Sequence, residues 1–408
     1  MKSNKITYID LFAGCGGLSE GFSSTFLFEG LAHVEWEIPM VETLRNRLIQ
    51  EYGYSKSEAT KRVVHFDIQR TRELLHGGLD HEKDLNFIES NSEIFSKSGL
   101  NGVVGDGNVD LIIGGPPCQA YSLAGRAQDK NSMKDDYRNY LFESFAKIVN
   151  HYKPKMFLFE NVGGILSAAP GNIPVLNRIF DAFKEIGYTI REPFEQKKSL
   201  LNSNDFGVAQ NRKRVIIIGV RNDLNINVEE IYQEIDRNKV SQKLNLRDVL
   251  YDLPKLFPLS KPEKKISHKS EKIIDDEYHK PRFHNRRDIE IFREWIEKDM
   301  NRSSTEEKLA FYNKWTGRIS NHNKYRNLEW DKPSPTIVSH LNKDGLLFIH
   351  PDPEQSRTLT VKEAALIQSF PNDFEFLGNQ GYNYKMIGNA VPPLMAKQIS
   401  IALSKFLR

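Results

Sequence analysis

Residues 6–17 read ITYIDLFAGCGG, a short apolar run that breaks at once into a glycine-rich turn. This order predicts a buried strand from Ile6 to Phe12, a loop from Ala13 to Gly17, and a helix after it. The pattern recurs, with strand signals near 34–36 and 63–66 and a helical pattern around 41–52. Because alternating strands and helices build parallel sheets, this stretch predicts an α/β fold.

Further apolar runs extend the predicted sheet at 109–113, 156–159 and 215–220. The last two are continuous rather than alternating, which is typical of strands buried on both faces. A helical pattern around 173–186 separates them. We therefore predict a Rossmann-like, doubly wound and mostly parallel sheet. Residues 71–108 are polar and irregular apart from a helical pattern near 84–95, and we interpret them as an insertion between sheet elements.

The composition is that of an ordinary globular protein. The chain has 408 residues, which predicts two or three domains. Its 39% hydrophobic and 27% charged residues exclude collagen-like, low-complexity and wholly disordered classes. With 57 basic and 54 acidic residues the formal charge is +3, so the total charge indicates no nucleic-acid partner. Any basic surface must be local.

Cysteine content and hydropathy limit the compartment. Cys15 and Cys118 are the only cysteines, which is no disulfide framework, and neither has metal-ligand spacing with other residues. We therefore expect a reducing compartment and no metal site. No apolar run approaches the roughly 18 residues of a membrane span, and the N-terminus lacks a signal-peptide pattern. These features predict a cytoplasmic protein without membrane contact.

Acidic residues follow the next two predicted strands after the glycine-rich turn. Glu35 precedes Trp36, and Asp67 precedes Ile68. The turn departs from the G-x-G-x-x-G fingerprint, so alone it is as consistent with a tight turn as with a ligand loop. In open α/β sheets, however, ligands bind at the carboxyl ends of the strands, where acids can accept hydrogen bonds from ribose and adenine. The combination predicts an adenosine-bearing cofactor.

Cys118 follows the strand at 109–113 in the run Gly114-Gly115-Pro116-Pro117-Cys118. Each proline fixes its own φ and restricts the residue before it, so this cysteine is presented on a stiff support. Rigid presentation suits a nucleophile. Lone cysteines more often act as small buried hydrophobes, and we assign that role to Cys15.

Two further motifs supply charge to the same region. Glu160 directly follows the strand at 156–159, so it reaches the crevice at a carboxyl end. The run QNRKR at 210–214 precedes the strand at 215–220. Alternation along an extended chain sends Gln210, Arg212 and Arg214 to one face.

Taken together, the motifs resemble the DNA (cytosine-5)-methyltransferase family of bacterial restriction-modification systems. They occur in the order DLFAGCGG at 10–17, GGPPCQAYS at 114–122, ENV at 160–162, QNRKR at 210–214, SPTI at 334–337 and GNAVPP at 388–393. The resemblance implies a class I methyltransferase fold, S-adenosylmethionine as the cofactor, double-stranded DNA as the partner and a monomeric enzyme. It also implies a cognate restriction endonuclease as a functional partner.

The resemblance also assigns chemistry. Cys118 would attack C6 of cytosine as a thiolate, which activates C5 toward the methyl group. Glu160 would hold the N3 and N4 edge and supply a proton. Arg212 and Arg214 would lie near the nucleophile and the base, with Arg214 on the cytosine O2. Because the target atom is buried in the duplex, the base must flip out.

Binding residues follow from the same motifs. The implied cofactor contacts are Phe12, Gly14, Glu35, Trp36, Asp67, Ile68, Pro116, Leu141, Asn389 and Val391. The implied DNA contacts are Gln119, Ser122, Arg126, Arg138, Gln210 and Thr336. The polar loop from Ser122 to Arg138 would close over bound DNA.

The resemblance places a target-recognition domain where the composition and the secondary-structure pattern of the chain change. After about residue 255, prolines and basic residues cluster and the strand-helix alternation stops. We predict a recognition domain at 256–357, inserted in a catalytic domain formed by 1–255 and 358–408. Its polar candidates are Lys264, Lys265, Arg282, Arg286, Arg287, Arg318, Asn321 and His322, none of which is assigned to a base.

Two alternatives remain. One branch of this family methylates tRNA and carries a Cys-Phe-Thr tripeptide in its recognition region, whereas no cysteine follows Cys118 here. That difference favours DNA. The other alternative is a catalytically silent paralogue that binds DNA, against which the retention of Cys118, Glu160, Arg212 and Arg214 argues.

Overall fold

The computed structural model describes residues 5–117, 141–169, 172–263, 265–270, 272–273 and 276–408. The strands are β1 Ile6–Leu11, β2 Phe28–Glu35, β3 Val63–His65, β4 Leu111–Gly114, β5 Met156–Val162, β6 Tyr188–Thr189, β7 Leu200–Asn202, β8 Gln210–Asn211, β9 Lys213–Arg221, β10 Leu256–Glu263, β11 Ile266–Ser270 and β12 Ser334–Pro335. The helices of the first half are α1 Gly17–Ser23, α2 Ile38–Gln50, α3 Lys56–Arg62, α4 Thr71–His76, α5 Leu85–Ser90, α6 Glu93–Val104, α7 Leu141–Tyr152 and α8 Val175–Glu185. Those of the second half are α9 Val228–Arg237, α10 Leu246–Leu250, α11 Arg286–Glu297, α12 Thr305–Thr316, α13 Val361–Ile367, α14 Gln380–Asn389 and α15 Pro393–Leu407.

The central sheet has the strand order β3-β2-β1-β4-β5-β9-β6, and β7 also pairs with β9. The pairs among β3, β2, β1, β4 and β5 are parallel. Strand β9 runs antiparallel to β5, β6 and β7. The order reverses between β1 and β4, which creates the crevice where α/β proteins bind ligands. The predicted doubly wound, mostly parallel fold is confirmed.

Alternate residues of the central strands enter two separate cores. Phe157 and Ile217 pack on one face of the sheet with α6, α7 and α8. Leu158 and Ile218 pack on the other face with α1, α9 and α15. All four side chains are fully buried. Burial on both faces explains why β5 and β9 read as continuous apolar runs.

Residues 71–108 lie between β3 and β4, as predicted, but the expectation that they are mostly irregular was wrong, because they form helices that contribute to the main core. They form α4, α5 and α6, and their side chains Leu74, Phe95 and Leu100 are fully buried against the sheet. The helices are short and α6 kinks at Gly99, where φ is 60°. Three short amphipathic pieces give a weaker periodic signal than one long helix, which is why the sequence reads as irregular.

The C-terminal helix α15 covers the face of the sheet that α1 and α9 share. Its side chains Met395, Ile399 and Leu403 are fully buried in the same core as Leu18 and Phe22 of α1. The contact with α1 is close, because a Cβ atom at Gly21 would lie 2.4 Å from the Cβ of Ala396. Residues at the two ends of the chain thus share one core.

The region after residue 255 has its own small core. Strands β10 and β11 form an antiparallel pair. Helices α11 and α12 bury Phe292, Trp295 and Phe311 together with Tyr325. Strand β12 returns to the central body by pairing in parallel with β8. Within the described part of the chain, no helix is both long and apolar enough to cross a membrane.

A buried ion pair lies between the small core and the body. Arg357 donates from both terminal nitrogens to the carboxylate of Glu363 at 2.7 and 2.6 Å, and both side chains are 1% exposed. His350, His268 and His284 surround this pair and hydrogen bond to nearby backbone groups. The imidazoles are therefore buried next to a guanidinium.

We expect the protein to lose stability as the pH falls below about 6.5. Burial lowers the pKa of His268 to about 4 and the pKa values of His284 and His350 to about 3. Between those values and the ordinary histidine pKa the unfolded chain binds more protons, so each imidazole removes up to about 1.4 kcal/mol per pH unit. Asp10, whose pKa burial raises to about 7, opposes part of this loss.

Urea unfolding at pH 7.5 and 5.5 measures this effect. We expect the free energy of unfolding to fall by at least about 2 kcal/mol between these values. The His284→Gln variant should show a shallower dependence, since it lacks one of the titrating groups. A profile that is flat over this interval would contradict the assignment of neutral buried imidazoles.

Candidate active site

The carboxyl ends of β1, β2, β4 and β5 meet at one edge of the sheet. Leu11, the last residue of β1, pairs with Gly114, the last residue of β4, so the glycine-rich turn and the Gly115–Pro117 segment leave the sheet side by side. Glu35 ends β2, and Glu160 lies near the end of β5. Glu35 and Glu160 therefore lie at the edge of the sheet that contains the crevice beside the order reversal.

Glu160 and Arg214 form an ion pair across two antiparallel strands. The Nε of Arg214 lies 2.8 Å from Oε1 of Glu160, and both side chains are about one-tenth exposed, at 11% and 12%. Glu160 pairs with Ile216 and Val162 pairs with Arg214, so the two charges are diagonal neighbours on the same face. The arginine lies against Oε1, and Oε2 lies on the side of the carboxylate that faces Gly115.

Gly115 makes room for that second oxygen. A Cβ atom at this position would lie only 2.5 Å from Oε2 of Glu160. The carboxylate therefore faces the backbone segment that leads to residue 118. Any larger residue at position 115 would displace Oε2 of the carboxylate whose Oε1 lies against Arg214.

Asn161 ties β5 to the same segment, a contact that the sequence analysis did not assign. Its Nδ2 donates to the carbonyl of Pro116 at 3.3 Å, and its Oδ1 accepts from the Val162 N–H at 2.9 Å. The side chain is 4% exposed. Its position beside Glu160 at the end of a strand was the available signal.

Arg212 is buried behind this pair rather than open to the crevice. Its terminal nitrogens donate to the carbonyl oxygens of Ile337 at 2.7 Å and Gly388 at 3.0 Å, and the side chain is 1% exposed. Burial, together with the charge of Arg214, lowers the pKa of Arg212. It thereby joins the end of the SPTI motif to the GNAVPP motif.

The predicted alternation of the QNRKR run is confirmed. Gln210 and Arg212 are buried and Arg214 is half-buried, whereas Asn211 and Lys213 are exposed. Gln210 is occupied by protein groups in this arrangement, since Oε1 accepts from the Ile337 N–H at 2.8 Å and Nε2 donates to Gln368. Thr336 is half-buried and donates to the Asn211 carbonyl at 2.8 Å.

Glu35 organises the turn after β1. Its Oε2 accepts from the Gly14 N–H at 2.8 Å, and its Oε1 accepts from the Trp36 and Glu37 N–H groups at 2.8 and 2.9 Å. Burial raises the pKa of this carboxyl, and these three donors partly offset the shift. The carboxylate thus holds two loops at a fixed separation.

The walls around Glu35 suit a flat, polar ligand. Gly14 has φ of +58°, and a Cβ atom there would face open space. The indole of Trp36 is 61% exposed although it adjoins this buried site. Asp67 is half-buried and accepts from the Gln69 N–H at 3.0 Å, and Ile68 is buried below it. An open glycine, an exposed ring and acidic side chains fit a nucleoside.

The remaining cofactor candidates lie around the same edge. Phe12 has a left-handed φ of 60° and is half-buried at the end of β1. Pro116, Leu141 and Val391 are buried, and Asn389 is exposed at the end of α14. A Cβ atom at Gly17 would lie 2.4 Å from the Val391 carbonyl, so the C-terminal segment closes directly onto α1.

The remaining predictions concern residues outside the described part of the chain, the second cysteine and a recognition candidate. Cys118, Gln119, Ser122, Arg126 and Arg138 lie outside the described residues. Cys15 is buried in the core, as predicted, and burial raises the pKa of its thiol. Arg282, a recognition candidate, is half-buried, and its guanidinium donates to the Leu341 and Asn342 carbonyls.

A groove of about 410 Å³ lies next to the QNRKR and SPTI motifs. Its polar lining includes Asn211, Asn301, Arg326, Lys332 and Thr336. The Nε of Arg326 donates to the Leu347 carbonyl at 3.1 Å, and its guanidinium lies 5.4 Å from the centre of the Phe348 ring. Among the described residues no carboxylate pairs with this arginine, which leaves a positive charge at the groove.

Comparisons with known proteins agree with this geometry. The family model described as "C-5 cytosine-specific DNA methylase" matches residues 84–405. Type II methyltransferase M.Bpa9945I of Bacillus paralicheniformis is 35% identical, with 97% of this chain and 98% of that protein covered. Type II methyltransferase M1.HphI of Haemophilus parahaemolyticus is 30% identical, with 98% and 87% covered. A solved structure, the methyltransferase EhMeth of Entamoeba histolytica, has the same fold, with a TM-score of 0.54, 14% identity and 99% of each chain covered.

Proposed function

The chain belongs to the C-5 cytosine-specific DNA methylase family and is a DNA cytosine-5-methyltransferase of restriction-modification type, and from this premise we propose how its residues act. The methyl group goes from S-adenosylmethionine to C5 of a flipped-out cytosine in a specific duplex sequence. The reaction proceeds through a covalent bond between Cys118 and C6. The modification protects host DNA from a cognate restriction endonuclease.

The Glu160–Arg214 pair is the observation that carries this proposal. The Glu160 carboxylate lies 2.8 Å from Arg214, and its Oε2 lies against Gly115, which is three residues before the proposed nucleophile Cys118. A carboxyl group at this position can bind the N3 and N4 edge of cytosine. The arginine adds positive charge, which favours a thiolate at Cys118 and can bind the cytosine O2.

The proposed reaction forms a bond between Cys118 and the cytosine ring and later breaks it. The Cys118 thiolate bonds to C6 while N3 takes a proton from Glu160, so the ring becomes an enamine with a nucleophilic C5. Bound S-adenosylmethionine would supply an electrophilic methyl group to C5, and the bond between that methyl group and the sulfonium sulfur would break to leave the neutral thioether S-adenosylhomocysteine. A base then removes the C5 proton, the bond between C6 and sulfur breaks, and the thiolate is restored. Glu160 regains its proton as N3 returns to its neutral form.

The supporting residues keep this geometry fixed. Asn161 holds the carbonyl of Pro116, which is two residues from Cys118. We propose that Arg212 acts behind Arg214, because its bonds to Ile337 and Gly388 set the position of the strand that carries the ion pair. Gln210 holds the Ile337 N–H in the same way and positions Thr336 for DNA.

S-adenosylmethionine fits the crevice around Glu35. The ribose and adenine would lie against Glu35, Trp36, Asp67 and Ile68, and the loop at Phe12 and Gly14 would pass beneath the methionine end. Leu141, Pro116, Asn389 and Val391 would complete the pocket. The open space at Gly14 and the exposed indole of Trp36 support this placement.

We expect Trp36→Ala to weaken binding of S-adenosylmethionine by about tenfold, because aromatic stacking contributes roughly 0.5–1.5 kcal/mol beyond area burial. Titration calorimetry on the full chain measures this change. Trp36→Phe should keep most of the affinity. The Phe26→Ala control removes another exposed aromatic side chain, 67% exposed, and should leave binding unaltered. Equal affinity in Trp36→Ala and the wild type would contradict the placement.

DNA contacts are proposed for the groove beside Thr336. Arg326 has no carboxylate partner among the described residues, and its charge together with the exposed side chain of Asn211 suits phosphates and base edges. The proposed contacts Gln119, Ser122, Arg126 and Arg138 would extend this surface. We assign 256–357 to target recognition and 1–255 with 358–408 to catalysis, which the shared core of α1 and α15 supports.

Bisulfite sequencing tests the proposed function directly. Plasmid DNA incubated with the full chain and S-adenosylmethionine should carry 5-methylcytosine at one repeated sequence. The same DNA should resist an endonuclease that cuts this sequence. Plasmid without 5-methylcytosine would refute the function, and methylation spread over all cytosines would refute a specific target.

A further inference from the structure

One ion pair joins the two walls of the proposed cofactor cleft. The Nζ of Lys385 lies 2.8 Å from Oε1 and 2.6 Å from Oε2 of Glu37. The two residues are 348 positions apart in the chain. Glu37 directly follows Trp36 at the start of α2, whereas Lys385 lies on α14, four residues before Asn389.

Glu37 is joined to the proposed cofactor residues by its peptide bond to Trp36 and by a backbone hydrogen bond. The Glu37 N–H donates to the carboxylate of Glu35 at 2.9 Å, and the same carboxylate accepts from Gly14. A continuous path therefore leads from Lys385 through Glu37 and Glu35 to the glycine-rich turn. Trp36 lies between the two acids, so its backbone is fixed on both sides.

A second set of contacts holds α2 to α14 and the segment before it, about two turns further along α2. Thr43 of α2 donates to the sulfur of Met386 at 3.5 Å and accepts from the Leu377 N–H at 2.9 Å. Thr43 is fully buried. Thr43 thus holds these elements together in the protein interior. The ion pair holds them together at the rim, which is the partly exposed opening of the cleft.

The side chains of Lys385 and Glu37 are 32% and 24% exposed, so their pair is less screened than one on an open surface. The orientation of Trp36 depends on the backbone between the two acids, since the indole itself is mostly exposed. If the pair is broken, the 35–37 segment and the end of α14 can separate at the rim. The cofactor would then bind to a wider cleft.

We propose that the Lys385–Glu37 ion pair fixes the width of the cofactor cleft, so that both are positioning residues for S-adenosylmethionine. This inference rests on the proposed function. Neither side chain touches the reacting atoms. The pair acts through Glu35 and Trp36 on one wall and through Asn389 on the other, and it therefore governs cofactor affinity rather than the chemical step.

The test compares Lys385→Met, Glu37→Gln and the double variant with the wild type. Calorimetry gives the Kd of S-adenosylmethionine, and methylation of plasmid DNA gives KM and kcat. Each single change should raise Kd and KM about fivefold to tenfold while kcat stays within about twofold. The double variant should bind no more weakly than the worse single variant, since both remove the same interaction.

Lys405→Met is the matched control. Lys405 of α15 forms an ion pair with Glu234 of α9, which also joins distant helices but lies away from the cleft. This variant should keep the wild-type Kd. An equal rise in Kd for Lys405→Met would overturn the inference, as would single variants within about twofold of wild type or effects that multiply in the double variant. A wild-type chain that binds no S-adenosylmethionine would instead refute the proposed function.

Discussion

Cys118→Ala is expected to abolish methyl transfer, with a loss of at least about 10⁴-fold in rate. Cytosine C5 is too weak a nucleophile to take a methyl group from a sulfonium without prior addition at C6. Alanine cannot add to C6, and no other cysteine follows it in the chain to take its place. Transfer of a labelled methyl group to plasmid DNA measures the loss, and binding of S-adenosylmethionine should be retained.

A substrate with fluorine at C5 distinguishes a nucleophile from a merely structural cysteine. After addition and methylation, C5 carries fluorine in place of hydrogen, and fluorine cannot leave as a cation. The bond between Cys118 and C6 should therefore persist, and wild-type protein should remain attached to the DNA in a denaturing gel. Cys118→Ala should form no such complex. Methylation of DNA by the Cys118→Ala variant would contradict the adduct mechanism.

Glu160→Gln should lower the rate of methyl transfer by about 10²- to 10⁴-fold, the range typical of a lost general acid. Glutamine has nearly the same shape, but it cannot supply a proton to N3. It also leaves Arg214 without the carboxylate that lies 2.8 Å away. Single-turnover kinetics with saturating cofactor measure the chemical step without contributions from product release.

A double variant tests whether Glu160 acts together with its ion-pair partner Arg214. If Glu160 and Arg214 act as one unit, adding Arg214→Met to Glu160→Gln should cost less than the two single effects multiplied together. Glu185→Gln removes an exposed carboxylate at the end of α8 and should leave the rate unchanged. A rate for Glu160→Gln within about threefold of wild type would exclude the proton-supplying role.

Much of the candidate site can be predicted from short motifs, because each motif depends on the conformation of only a few neighbouring residues. Glycines after β1, acids at the ends of β2 and β5, and the alternation of Gln210, Arg212 and Arg214 depend only on strand geometry. These features are enough to predict that Glu35 and Glu160 lie at one edge of the sheet. The same reasoning missed Asn161 and misread residues 71–108, where short helices bury Phe95 and Leu100 without a long periodic signal.

Which side chains meet was decided by the tertiary structure. Arg214 reaches Glu160 because β9 is antiparallel to β5 in one particular register. Arg212 reaches Ile337, 125 residues away, and Lys385 reaches Glu37, 348 residues away. By itself, the sequence determined the elements, the sheet class and the chemistry that each motif can perform, since periodicity and turn residues act within a few positions. Contacts between distant segments depend on strand order, register and helix packing, and no spacing along the chain encodes these.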